Sequence, residues 1–243
     1  MRAKFLPYLS LAGGVMALSF SPVFVRWAEA PGPVTSLFRM TTAALVLAPF
    51  ALRLKARTGV ALDARAIGLG LLGGLVTAGD HALWSTALAS TSIANATLFN
   101  YIAPLWVALF AALVWRERLR ARFWLGLALV LAGMAVVIGA GLDETFRFNP
   151  GDVFAVLSSF FYAAYFLLAQ RGRARLPTLI FIWLVALGAA LGLLGACLAL
   201  DLPLSGYPPA TYLAFLMAGL CSQIGGYFMV AYALGHLPAA IVA

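Results

Sequence analysis

The chain has 243 residues, of which 64% are hydrophobic and only 10% charged, against about 45–50% and about 25% in an ordinary soluble domain. A soluble globule is excluded, because a core of that size could bury only part of such an apolar inventory and the rest would form one aggregating surface. The formal net charge of +8 does not indicate a nucleic-acid partner either, because the basic residues fall at intervals between apolar runs and report membrane orientation instead.

The first apolar run, residues 5–25, follows Arg2 and Lys4 and precedes Ala28-Glu29-Ala30, the outline of a secretory signal. At 21 residues it exceeds the roughly 7–15 of a signal core and reaches the ~20 that cross a bilayer, so it is read as a span. Seven further runs follow at 34–52, 67–89, 92–115, 123–142, 153–169, 178–200 and 211–234. They are continuously apolar instead of alternating, which predicts helices and not a barrel. The fold class expected is therefore an all-α polytopic membrane protein in contact with membrane lipid.

Basic residues set its orientation. With the N-terminus in the cytoplasm, 13 of the 16 Lys and Arg residues fall on the inner side, among them Arg53, Lys55, Arg57, Arg116, Arg118, Arg171, Arg173 and Arg175. Only Arg26 and Arg147 fall outside, while Arg39 lies within a span. The positive-inside rule makes this the expected topology.

An internal repeat is present at an offset of 146: residues 79–96 align with 225–242, placing Ala87-Leu88 on Ala233-Leu234 and Ala94 on Ala240. Pro33 matches Pro177 at an offset of 144, with Arg39 and Trp183 each six residues further on. The third predicted helix thus aligns with the eighth and the second with the seventh. Five helices in the first unit make the second enter from the opposite side, an inverted repeat of 1–142 and 143–243. Such repeats place a substrate site near the midplane and alternate its access by rocking. The second unit is expected to continue to about residue 287 by the same offset, giving ten helices in the intact protein, with Gly235 to Ala243 a connection and the start of the ninth.

Ala94, Ala96, Pro104-Leu105, then Trp115-Arg116-Glu117-Arg118-Leu119, and the glycines Gly126 and Gly133 form one ordered pattern, preceded by Pro33 and Arg39. This resembles the EamA-type members of the drug/metabolite transporter superfamily. The resemblance implies two inverted five-helix repeats, a fourth helix with a mid-helix Pro (Pro104) and a Glu (Glu117) at its cytoplasmic end, and transport of a small organic metabolite across a bacterial inner membrane. It further implies amino acids or related amphipathic compounds as substrates and export as the direction.

Ionisable groups inside a span are costly, about 2.5–3.5 kcal/mol at a helix centre, and mark candidate sites. Arg39 lies about 8 Å and Asp80 about 13 Å from the outer ends of their helices at 1.5 Å per residue, so the two can reach each other. They form a structural ion pair, or Arg39 snorkels to the headgroups, or they contact a polar substrate or a coupling proton. His81 falls on Tyr227 in the repeat, and Asp80 with Trp84, like Gln223 with Tyr227, puts a polar group and an aromatic one turn apart on one face. Tyr162 and Tyr165 join them as core or binding aromatics. In the fourth helix Asn100 and Tyr101 are favoured over Asn95, because Pro104 shares a face with Asn100 and frees a carbonyl. Glu117 reads as structural or gating, paired to its flanking arginines.

Cys197 and Cys221 read as small buried hydrophobes. No metal-ligand spacing, Walker A sequence, HExxH or nucleophile elbow occurs, so no metal, cofactor or catalytic residue is expected. An intramembrane hydrolase is the alternative from another class. Gly188 and Gly192 form a GxxxG that leaves a homodimer open.

Overall fold

The computed structural model describes residues 2–60, 62–113, 116, 119–140 and 150–242. Eight helical rods follow one another, and seven of them are long and apolar enough to cross a membrane. The first, α1, runs Arg2–Ser19 and resumes as Ser21–Trp27; α2 is Gly32–Thr58 and α3 is Ala64–Ser90. The fourth, α4, is split into Ile93–Asn100 and Ala103–Leu113, and α5 is Ala121–Ala140. Next come α6, Pro150–Arg173, and α7, Thr178–Ala199. The eighth, α8, consists of Pro209–Met217, a π-helical stretch Ala218–Gly226 and Tyr227–Leu234, and a short α9, Ala239–Val242, closes the described chain.

Three of the predicted helices are interrupted, and two interruptions have a covalent cause. Pro22 and Pro104 have no backbone N–H, so the carbonyls four residues earlier, on Leu18 and Asn100, lose their helical donor and the rods break at Phe20 and at Tyr101-Ile102. The π-helical stretch in α8 has no such signature in the sequence. Helix α2 runs past its predicted end at 52, carries Arg53, Lys55 and Arg57, and stops at Gly59, whose φ of +60° favours glycine. The Asp63 carboxylate accepts from the Ala66 N–H at 2.7 Å and starts α3; the Ser92 hydroxyl accepts from the Asn95 N–H at 3.0 Å and starts α4. The predicted ends at Trp115 and Leu142 lie outside the described residues.

Packing crosses the two halves of the chain. Helix α3 lies along α6 and α7, α2 lies along α7 and α8, α1 lies along α8, and α4 leans on α6, while α5 has its main contact with α4. The α3–α7 crossing is close because its inner face is nearly bare: a Cβ on Gly188 would stand 2.6 Å from the Leu71 carbonyl, and one on Gly192 would stand 2.9 Å from the Ala78 methyl. The GxxxG pair is therefore used within the chain, against α3, and lends a homodimer no support. Gly14 and Gly226 bring α1 and α8 together in the same way, a Cβ on Gly14 falling 3.0 Å from the Gly226 carbonyl. Cys197 is fully buried and Cys221 half-buried, both as free thiols.

Candidate functional site

A cavity of about 450 Å³ opens between α1, α3, α4, α6 and α8. It begins at the middle of the bundle, where Tyr162 of α6 and Tyr227 of α8 stand, and extends toward the end of α3 that carries Ser90. Its α1 wall is Val15, Leu18, Ser19, Ser21 and Pro22; its α4 wall includes Thr97, Asn100 and Tyr101. Both Pro-induced breaks thus border it, and the two residues whose carbonyls lose their helical donor, Leu18 and Asn100, are lining residues.

Two opposite charges reach the cavity from different helices. Arg39 of α2 is 2% exposed and donates from one terminal nitrogen to the Ser21 hydroxyl at 2.7 Å, with its guanidinium 5.7 Å from the centre of the Tyr227 ring. Its Nε has no hydrogen-bond partner among the described residues. Asp80 of α3 is 5% exposed; one carboxylate oxygen accepts from the Asn100 amide at 3.0 Å and the other meets His81 Nδ1 at 3.1 Å. The Asn100 amide also donates to the Ser158 hydroxyl at 2.7 Å, which ties α4 to α6. Of the alternatives open for Arg39 and Asp80, a direct ion pair is not formed: among the described residues the salt-bridge partner of Asp80 is His81, and Arg39 has no carboxylate partner. The reason is geometric, since Ser21 enters at the α1 break and takes Arg39, while α4 brings Asn100 to Asp80.

The sequence-derived site residues divide. His81, Trp84, Asn100, Tyr101, Tyr162, Tyr227, Arg39 and Asp80 all line the cavity. Tyr165 stands behind it, 1% exposed, with its ring 5.8 Å from that of Tyr227. Gln223 lies in the π-helical stretch, fully buried, with its amide beside the His81 ring. Pro104 acts one turn away, by breaking α4, and Asn95, through its backbone N–H, takes part in the cap that starts it. Glu117 lies outside the described residues. The residues that sequence reasoning missed are those of α1, above all Ser21, whose signal was the Ser21-Pro22 pair inside an otherwise apolar run.

Tyr165 offers a test of this division. Among the described residues its buried hydroxyl has no hydrogen-bond partner, so Tyr165→Phe removes an unsatisfied group of a kind that costs about 1–3 kcal/mol. Thermal unfolding of the purified variant is expected at an equal or higher temperature than wild type, with solute exchange unchanged. A loss of exchange would put Tyr165 in the site.

A largely apolar cavity into which a few buried charged and amide groups project, set between apolar helices, suits a membrane transporter, and likeness to other proteins agrees. The model of the EamA-like transporter family matches residues 5–139 and 149–243, and the chain belongs to that family. It is therefore a multi-pass integral protein of the inner (plasma) membrane. A stretch of 110 residues, 44% of this chain, is 34% identical to 37% of the aromatic amino acid exporter YddG of Ancylobacter novellus. A stretch of 153 residues, 63% of the chain, is 29% identical to 52% of an uncharacterized transporter of Archaeoglobus fulgidus. The matches thus span about half or less of those relatives. One solved crystal structure superposes on 94% of the chain, and on 78% of its own, with a TM-score of 0.70 at 25% identity.

Proposed function

We propose that the protein exchanges amino acids or closely related zwitterions across the membrane, by alternating access and in the direction of export. The observation that carries this reading is the separation of Arg39 and Asp80, two buried opposite charges that face one cavity without pairing with each other. A buried guanidinium without a carboxylate is costly, and so is net charge added to a low-dielectric cavity. A zwitterion answers both conditions: its carboxylate meets Arg39 and Ser21, its ammonium meets Asp80 and the Asn100 side chain, and net charge stays the same. Trp84, Tyr101, Tyr162 and Tyr227 supply an aromatic wall for the side chain. The name of the Ancylobacter relative, an aromatic amino acid exporter, agrees with such a wall.

Alternating access is supported by the packing. Exchanging α1 with α6, α2 with α7 and α3 with α8 turns the α3–α6 contact into α8–α1 and the α3–α7 contact into α8–α2, and leaves α2–α7 unchanged; all of these contacts are present. That exchange supports the reading of two inverted repeats with the cavity between them. With the arginine-rich ends in the cytoplasm, the cavity occupies the outer half of the membrane. The hydrolase alternative has a His81–Asp80 pair in its favour, but among the described residues no hydroxyl or thiol is hydrogen-bonded to His81 Nε2.

Binding of a labelled amino acid to the purified protein, competed by the free acid and by its methyl ester, tests the zwitterion. The free acid is expected to compete at least ~30-fold better, because the ester gives Arg39 a neutral partner in place of a charged one and so forfeits about 2 kcal/mol. Equal competition would overturn the assignment of the carboxylate to Arg39.

A further inference from the structure

The cavity lies between two helix pairs. Helix α1 packs along α8, and α3 packs along α6. Leu18 and Ser21 come from α1 and Tyr227 from α8, whereas Asp80 and His81 come from α3 and Tyr162 from α6. Whatever joins one pair to the other at either end of the bundle decides whether that end is open.

Two arginines make such joints, one at each end. Arg26, in the last turn of α1, donates from one terminal nitrogen to the Leu88 carbonyl at 3.3 Å and to the Thr91 carbonyl at 2.7 Å, where α3 ends. Thr91 is itself held, its hydroxyl donating to the Asp152 carboxylate at 2.7 Å near the start of α6, so Arg26 grips the α3–α6 pair as a unit. At the other end Arg173, the last residue of α6, donates from Nε to the Ala231 carbonyl at 3.0 Å, in the last turns of α8, and from a terminal nitrogen to the Leu176 carbonyl. Gly235 makes room for it: a Cβ there would fall 2.6 Å from a terminal nitrogen of Arg173. Arg26 thus meets carbonyls at the C-terminal end of α3, where the helix dipole also favours a cation, while Arg173 meets the Ala231 carbonyl, which accepts from the Gly235 N–H at 3.2 Å as well.

Arg26 and Arg173 are 147 residues apart, one more than the offset that aligns the third predicted helix with the eighth. Exchanging α1 with α6 and α3 with α8 carries one joint onto the other, at opposite ends of the bundle. We propose that Arg26 and Arg173 are a matched pair of gate residues, Arg26 closing the outer end of the cavity and Arg173 the cytoplasmic end. Both joints are formed in this structure; each arginine is a positioning residue that touches no solute, and release of one favours the state in which its own end is open. The assignment rests on the alternating-access reading given above.

The test follows cavity exposure directly. A cysteine replacing Thr97, which lines the cavity, is introduced into a chain with Cys197 and Cys221 changed to alanine. Its reaction with a membrane-impermeant maleimide is timed in right-side-out and inside-out vesicles. Arg26→Ala is expected to raise the outer rate at least about threefold and lower the inner one, because charge-assisted hydrogen bonds to the closed state are lost. Arg173→Ala is expected to do the reverse, and so is Gly235→Ala, which displaces Arg173 without removing its charge. Shifts in the same direction for Arg26→Ala and Arg173→Ala, or unchanged rates in both with wild-type thermal stability, would overturn the proposal. Labelling needs no solute, so the two readings fail separately. Opposed shifts without any solute exchange by the wild type overturn transport and keep the gates; exchange without opposed shifts overturns the gates alone.

Discussion

Arg39→Ala is expected to lower kcat/KM for amino-acid exchange about 100-fold, the loss of about 2.7 kcal/mol when a buried charge-assisted contact disappears. Two consequences separate this from simple destabilisation. The preference for a free amino acid over its methyl ester should shrink toward unity, because the group that distinguished them is gone. Arg39→Lys should fall between wild type and alanine, since an ammonium keeps the charge but loses the planar fork and its place over the Tyr227 ring. Exchange assays on the three proteins, with ester competition, give both readings. Unchanged ester discrimination in Arg39→Ala would mean that the carboxylate binds elsewhere.

The second large effect concerns stability. Gly188→Ala places a methyl 2.6 Å from the Leu71 carbonyl and 3.0 Å from its Cα, so α3 and α7 must separate. Alanine favours helix over glycine by about 1 kcal/mol, but overpacking a backbone contact costs about 1–3 kcal/mol and here meets no flexible side chain. A net loss is expected, read as a lower unfolding temperature of the purified protein. Gly195→Ala on the same helix is the control, because a Cβ there meets nothing within 4 Å, and it should be neutral or stabilising. If both substitutions behave alike, the α3–α7 crossing is not the close contact described.

The apolar runs made the helices legible because lipid tolerates few alternatives to a continuous run of ~20 residues. What the runs concealed were the breaks. Proline in a membrane helix does not lower hydropathy enough to interrupt a run, so Pro22 left no mark on the first helix. Pro104 stands out within its run, but nothing in the run's hydropathy marks the split at Tyr101-Ile102. The π-helical stretch of α8 contains nothing that separates it from an α-helix by residue type.

Composition and spacing brought the polar residues of α3, α4, α6 and α8 into view, since each is an exception within its run. Their pairing was not legible. Arg39 and Asp80 were within reach of each other by depth alone, but depth ignores rotation about the helix axis and the arrival of a third group. Ser21 takes Arg39, and Asn100 and His81 take Asp80. Gly188 and Gly192 gave the opposite lesson, for a motif often associated with helix dimers is satisfied here by a neighbouring helix of the same chain.

The cavity between Arg39 and Asp80 is proposed to carry a zwitterion across the membrane. Counterflow into proteoliposomes bearing the wild-type protein tests it most directly, with a labelled panel of amino acids, the matching amines that lack the carboxylate, and the matching acids that lack the ammonium. Saturable exchange of amino acids is expected, with those of aromatic or large apolar side chains preferred, and little exchange of either single-charged series. Exchange of the amines or the acids at rates equal to the amino acids would contradict it.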